Sequence, residues 1–233
     1  MKDFVTSDHV RIAYDYEEKK QVIIYIHGWL QDSTIWKPII KEFDSYGHLT
    51  VDLRGHGKSE EPIEEDEYEL SRLTDDIQEL IEKLDISNPI LSGHSMGAMV
   101  SAELMTQIPV QHAVLIAGTV KTPSHINLKR AEKFLESLRE ERQAIKYVRN
   151  AHPRAAYACL KAIEHFNIEE QLRNNDTPTT IIIGENDAMT PVEYSKQLHK
   201  ILANSQMYIL PKAGHNTPIT HTKQIIEIIL KEL

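Results

Sequence analysis

The sequence is poor in the features that mark several classes of protein. One of its 233 residues is cysteine, Cys159, so an intramolecular disulfide is impossible, and a free thiol suits a reducing compartment. No run of about 18 apolar residues occurs, the length a helix needs to cross a bilayer. The first eight residues, Met1 to Asp8, mix charged, polar and apolar side chains and lack the apolar stretch of a secretory leader. Positive charge is in deficit: 26 Lys and Arg against 35 Asp and Glu leave a formal charge of −9, which repels duplex nucleic acid and anionic membrane surfaces. No Cys, His and Asp cluster has metal-ligand spacing, so no metal is expected. Repeats, low-complexity tracts and Pro-rich linkers are missing as well. These absences point to a cytoplasmic protein without nucleic-acid or membrane partners, and they leave the oligomeric state open.

What is present fits one globular domain with a sizeable core, at 41% hydrophobic and 26% charged residues. Two alternating segments, Phe4–Thr6 and Val10–Tyr16 around Ser7-Asp8-His9, read as a β-hairpin. Val22-Ile23-Ile24-Tyr25-Ile26 is a β-branched run of the kind found in a strand covered on both faces. A helix is expected over Thr34–Asp44 and a strand over His48–Asp52. Leu73, Ile77, Leu80, Ile81 and Leu84 form one apolar helix stripe. Ile90-Leu91, Val114–Ile116, Ile181–Ile183 and Met207–Leu210 read as strands, separated by helices near Ser95–Gln107 and Pro191–Ala203. A last helix crowds Ile225, Ile226, Ile228 and Ile229 on one side. Alternating strands and helices imply an α/β fold with a mostly parallel sheet, opened by the antiparallel hairpin. Residues 119–176 carry no convincing strand. Their helical patterns, such as Phe134, Leu138, Ile145 and Val148, then Ala155–Phe166, predict a small helical cap over one edge of the sheet. The expected division is a core of residues 1–118 and 177–233 with the cap at 119–176.

The strongest chemical signal is Ile90-Leu91-Ser92-Gly93-His94-Ser95-Met96-Gly97-Ala98, which places Gly-x-Ser-x-Gly between a strand and a helix. On such a tight turn the glycines let neighbouring backbones approach, the Ser95 hydroxyl stands out above the sheet, and the new helix aims its N–H groups at developing negative charge. A serine hydroxyl is a weak nucleophile and needs a base, which in turn needs an orienting acid. In a strand–turn–helix setting these follow in the order acid, then histidine. Asp187 lies just past the strand Ile181–Ile183, and His215 lies on the loop Pro211-Lys212-Ala213-Gly214 after the last strand. Ser95, Asp187 and His215 thus all fall at carboxyl ends of strands, where open α/β sheets gather their ligands. Glu185 is a rival acid that strand alternation turns elsewhere. Two N–H donors are needed for an oxyanion: Met96, after the nucleophile, and Trp29, in the loop after the first buried strand.

His27-Gly28-Trp29, Asp52-Leu53-Arg54-Gly55-His56-Gly57-Lys58-Ser59, Gly93–Gly97, Gly184–Asp187 and Gly214-His215 follow one another in the order of the α/β-hydrolase superfamily, which the chain resembles over nearly its full length. The Ser-Met-Gly elbow and His-Gly-Trp loop resemble those of small carboxylesterases, haloperoxidase-like enzymes and enol-lactonases. Ala98 stands where a second glycine is common. The resemblance implies hydrolysis of a small carboxylic ester or lactone through an acyl-serine, with no cofactor. The same scaffold also supports carbon–carbon bond hydrolases, lyases, cofactor-free dioxygenases (which His27-Gly28-Trp29-Leu30-Gln31-Asp32 also resembles) and small-molecule receptors.

Several residues mimic other sites. Gly57-Lys58-Ser59 ends like a phosphate-binding loop, but Asp52 occupies the position of its first glycine. Arg54 and His56 are expected to brace their loop, and His94 is too close in sequence to Ser95 to serve as its base. The segment 119–176 holds 11 Lys or Arg against 8 Asp or Glu. Lys129, Arg130, Lys133, Arg139 and Arg142 are expected to pair with Glu132, Glu136, Glu140 and Glu141 at helical spacing, with most such charges facing solvent. An inward-facing cation, with Arg154 as the candidate, would instead favour an anionic substrate.

Overall fold

In the computed structural model the described residues are 1–123, 133, 150–151, 153–164 and 166–233. The helical pattern over Phe134, Leu138, Ile145 and Val148 lies outside them, as do all the charged residues paired above except Lys133. The strands are β1 (Lys2–Val5), β2 (Arg11–Glu17), β3 (Val22–Ile26), β4 (Gly47–Asp52), β5 (Ile90–His94), β6 (His112–Ile116), β7 (Thr179–Gly184) and β8 (Ser205–Leu210). The helices among the described residues are α1 (Lys37–Ile40), α2 (Leu70–Lys83), α3 (Met96–Leu104), α4 (Pro153–Ile163), α5 (Glu169–Leu172), α6 (Val192–Ile201), α7 (Thr217–Thr220) and α8 (Thr222–Glu232).

The strands form one sheet in the order β1-β2-β4-β3-β5-β6-β7-β8. β1 pairs antiparallel with β2 and β2 antiparallel with β4, while every later pairing is parallel. This is the expected α/β sheet with its antiparallel opening.

Alternation along the buried strands serves two cores. Val22, Ile24 and Ile26 of β3 face one, with Leu91, Leu115 and Ile181, under α2, α3 and α4. Ile23 and Tyr25 face the other, with Val114, Ile116 and Ile182, against Ile39 of α1 and Ile225 and Ile229 of α8. The α2 stripe is buried at Leu73, Ile77, Leu80 and Ile81, each side chain contributing roughly 1.5–3 kcal/mol.

The chain turns from β3 to its neighbour β4, then crosses to β5 on the other side of β3. The chains leaving β3 and β5 therefore lead to helices on opposite faces of the sheet, α1 on one and α3 on the other, and the carboxyl ends of strands at such a switch point are where open α/β sheets bind ligands.

Two expectations need correction. The single helix over Thr34–Asp44 is a 3₁₀ turn, Ser33–Trp36, followed by the four-residue α1. Pro38 stands at the start of α1, and bonding then tightens to i→i+3, from Glu42 to Ile39 and from Phe43 to Ile40. Nor does α4 lie over an edge of the sheet. The Cβ of Ala155 is 2.3 Å from where a Cβ on Gly55 would stand, and the Trp29 indole N–H donates to the Ala156 carbonyl at 2.8 Å. Helix α4 thus covers the loops that follow β3 and β4. No helix among the described residues is long and apolar enough to cross a membrane.

Candidate active site

Ser95 joins β5 to α3 with φ 53° and ψ −115°, a conformation that costs a non-glycine residue about 1–3 kcal/mol. The surroundings hold it there. Its N–H donates to the Ile116 carbonyl at the end of β6 (2.8 Å). The first turn of α3 lies against the end of β3, so closely that a Cβ on Gly97 would stand 2.2 Å from the Ile26 oxygen and 2.5 Å from that of His27. A Cβ on Gly93 would meet the Gly97 oxygen at 2.3 Å. Both glycines are required by space, and together they press the elbow onto the loop carrying Trp29.

His215 and Asp187 come from adjacent parallel strands. The Asn186 N–H donates to the Ala213 carbonyl at 2.8 Å, and the Glu185 N–H to that of Leu210 at 2.9 Å, so the loops after β7 and β8 run against each other. Across this seam His215 Nδ1 donates to Asp187 Oδ2 at 2.8 Å, while His215 Nε2 lies 2.9 Å from Ser95 Oγ. One proton on Nδ1 leaves an acceptor at Nε2, so the neutral ring can take the Ser95 hydroxyl proton. The Asp187 side chain is fully buried and that of His215 is 17% exposed.

Asp187 is held from all sides. Its Oδ1 accepts the Met189 and Thr190 N–H groups, each at 2.9 Å, and its Oδ2 also accepts the Thr190 hydroxyl at 2.9 Å. Burial alone would raise its pKa, but the bonds from His215 and Thr190 outweigh burial and hold the carboxyl below its ordinary value. Glu185 is exposed and accepts the Lys212 N–H at 3.0 Å.

β3 and β5 are neighbours, with Ile26 opposite Gly93, so Trp29 and Met96 emerge side by side. Met96 heads α3, where the first N–H groups have no carbonyl one turn back to bond. His27 braces the loop: Nδ1–H donates to the Gly28 carbonyl (2.8 Å), and Nε2 accepts the Leu53 N–H (3.0 Å). Burial pushes its pKa down to about 4, and the neutral ring satisfies both bonds.

The decoy motifs have structural roles. Arg54 is buried, with its Nε and one NH2 group forked onto Asp76 at 2.8 and 2.6 Å. His56 Nδ1 lies 3.0 Å from the Arg54 carbonyl. The Lys58 N–H donates to Asp52 Oδ2 at 2.9 Å, so this N–H is already taken by an aspartate carboxylate. Cys159 is buried in the core, which pushes its thiol up to about 12. Arg154, the candidate for an inward cation, does not take that role: its side chain is 46% exposed and pairs with Glu61 at 3.7 Å. No group of three His, Cys, Asp or Glu side chains among the described residues could hold a metal ion.

Two parts of the site escaped the sequence. Thr190 fixes Asp187, and Gln31 joins His94 to Asn216 (2.9 and 3.2 Å) across separations of 63 and 185 residues, which no local pattern could display.

A family model described as the alpha/beta hydrolase fold matches residues 21–152. Among similar proteins is a pimeloyl-[acyl-carrier protein] methyl ester esterase of Pseudoalteromonas atlantica, 27% identical over 87% of this chain and 90% of its own length. Among solved structures, an esterase from Exiguobacterium antarcticum superposes with a TM-score of 0.87 at 18% identity, covering 98% of this chain and 97% of its own. The enol-lactonase of Burkholderia xenovorans does so with a TM-score of 0.84 at 16% identity, over 99% and 98%.

Proposed function

The chain belongs to the α/β-hydrolase family and is a hydrolase; we propose that it cleaves a small carboxylic ester or lactone through an acyl-serine intermediate. The observation that carries this reading is the relay of 2.9 and 2.8 Å contacts from Ser95 through His215 to the buried Asp187. Ser95 Oγ attacks the substrate carbonyl carbon as its proton passes to His215 Nε2, and Asp187 stabilises the imidazolium that results. The carbonyl oxygen takes up the negative charge and is held by the N–H groups of Trp29 and Met96, donors that need no rearrangement when charge develops. Collapse of the tetrahedral intermediate breaks the bond to the alcohol oxygen, which leaves with the proton from His215. Water then gives a proton to His215 and attacks the acyl carbon, and the second collapse returns that proton to Ser95 and frees the acid. None of these steps calls for a cofactor.

Residues 119–176 act in this reading as the cap that shapes the acyl and alcohol pockets. The contact from Trp29 to Ala156 supports it, since α4 touches the loop assigned to the oxyanion. The ester class is supported by the relative named for a methyl ester.

A panel of chromogenic esters and lactones of graded size, run with wild type and Ser95→Ala, tests the proposal. The expected result is turnover of small members that vanishes in the variant. Oxygen consumption without release of acid would overturn it.

A further inference from the structure

A carboxylate offers about four acceptor sites, two on each oxygen, and at Asp187 the fold fills them with four donors. The Met189 and Thr190 N–H groups, each at 2.9 Å, take the sites of Oδ1. His215 Nδ1–H at 2.8 Å and the Thr190 hydroxyl at 2.9 Å take those of Oδ2. The hydroxyl is the side-chain donor in this set that the steps above do not use. Its direction is fixed, because a carboxylate can only accept. Local sequence puts it there: Pro191 confines the residue before it to an extended backbone, and the branched Thr190 side chain has few χ1 choices. Thr190 is 5% exposed and the Asp187 side chain is fully buried, so bulk water does not stand in for a missing donor.

Thr190 Oγ1 also lies 3.4 Å from His215 Nδ1. Of the two oxygens facing that N–H, the charged one at 2.8 Å takes the proton, since a bond to an ionised acceptor is roughly twice as strong as a neutral one. Burial works against the Asp187 anion, and the Thr190 hydroxyl is among the bonds that keep its pKa below the ordinary value. We propose that Thr190 is a positioning residue for His215. Its hydroxyl occupies the second acceptor site of Oδ2, which leaves the His215 N–H one site to point at. That sets the ring plane in which Nε2 reaches Ser95 Oγ at 2.9 Å. Without the hydroxyl, Oδ2 presents two lone pairs to one donor, and the imidazole can turn between them. The carboxylate itself stays anchored by the two N–H groups at Oδ1, so the loss falls on the aim of the ring. This inference rests on reading Ser95 and His215 as nucleophile and base.

Thr190→Val and Thr190→Ser test it, because valine keeps the branched shape without the hydroxyl and serine keeps the hydroxyl without the methyl. Thr190→Val is expected to lower kcat on a small ester by about 30-fold, less than the roughly 100-fold that a misplacement of about 1 Å can cost, with KM little changed. Thr190→Ser should recover at least about tenfold of that loss. A role in packing alone predicts the reverse order, with valine the better replacement. The His215 Nδ1 proton, followed far downfield by ¹H NMR, gives a second readout: it should shift or broaden in Thr190→Val and return towards its wild-type position in Thr190→Ser. Equal kcat in the two variants, the better activity in Thr190→Val, or a resonance that Thr190→Val leaves in place would overturn the positioning role while an inert Ser95→Ala left the acyl-serine reading standing. Turnover in Ser95→Ala would bring down both. Should Thr190→Val fail to fold, Thr190→Ala takes its place beside Thr190→Ser, a pair that differs by the hydroxyl alone, and equal kcat there overturns the proposal.

Discussion

Replacing Asp187 by Asn should abolish turnover and spare the fold, because the surroundings dictate how the amide must lie. The two N–H groups at Oδ1, from Met189 and Thr190, are fixed donors, so the asparagine oxygen must face them. Its NH2 then takes the place of Oδ2, 2.8 Å from His215 Nδ1 and 2.9 Å from the Thr190 hydroxyl. The hydroxyl can turn its lone pairs towards the amide. His215 can accept at Nδ1 only by moving its proton to Nε2, and that tautomer cannot take a proton from Ser95. A wrong tautomer in such a relay lowers kcat by about 10⁴-fold, roughly 5 kcal/mol of transition-state stabilisation. Stability should change far less. Exchanging charged for neutral acceptors costs about 1–2 kcal/mol, and at roughly 2–4 °C per kcal/mol for a chain of this size Tm should fall by no more than about 8 °C. Ester hydrolysis and thermal unfolding by circular dichroism, measured on the same preparation, check both halves. A folded Asp187→Asn within tenfold of wild type, with Glu185→Gln crippled, would refute the assignment of the acid.

Gly97→Ala should destabilise the protein by about 3 kcal/mol or prevent folding, since its Cβ would stand 2.2 Å from the Ile26 oxygen; urea unfolding measures this. Asp76→Ala removes one of the two carboxylates on buried Arg54 and leaves Asp8 at 3.0 Å, so the cost should be at or below about 3 kcal/mol, the low end for a broken buried pair; Asp8→Ala with Asp76→Ala should cost more than either alone, and chemical denaturation of the single and double variants tests the group. Acid titration of stability should show the share contributed by Asp187. Its folded pKa is depressed, so this share is present above the ordinary aspartate value of 3.8 and is lost as pH falls through the lower folded value. The stability gap between wild type and Asp187→Asn should therefore close below pH 3.8, as urea midpoints across the acid range will report.

Where one segment's own residues decide the structure, the sequence was legible. Val22–Ile26 is β-branched or aromatic throughout and forms a strand with those bounds, because a strand covered on both faces needs no polar alternation. The stripe from Leu73 to Ile81 becomes the buried face of α2 for the same local reason. Ser95, Asp187 and His215 could be singled out because each sits where a strand ends. Features set by distant parts of the chain were not legible. The apolar spacing over Thr34–Asp44 fits a helix, yet Pro38 and the bond from the Ser33 N–H to Asp52 Oδ1 (2.8 Å) break it into short turns. Arg154 opens an apolar segment and still points its charge to Glu61, a half-buried residue 93 positions earlier. Gln31 looks like any loop glutamine until the fold brings Gly28, His94 and Asn216 around it.

The central claim is that Ser95 forms the covalent intermediate, and intact-protein mass spectrometry after treatment with an organophosphonate ester tests it most directly. The account predicts the addition of one phosphonyl group, mapped by peptide sequencing to Ser95, absent from Ser95→Ala and strongly slowed in Asp187→Asn. Labelling that persists in Ser95→Ala, or that maps to another side chain, would contradict it.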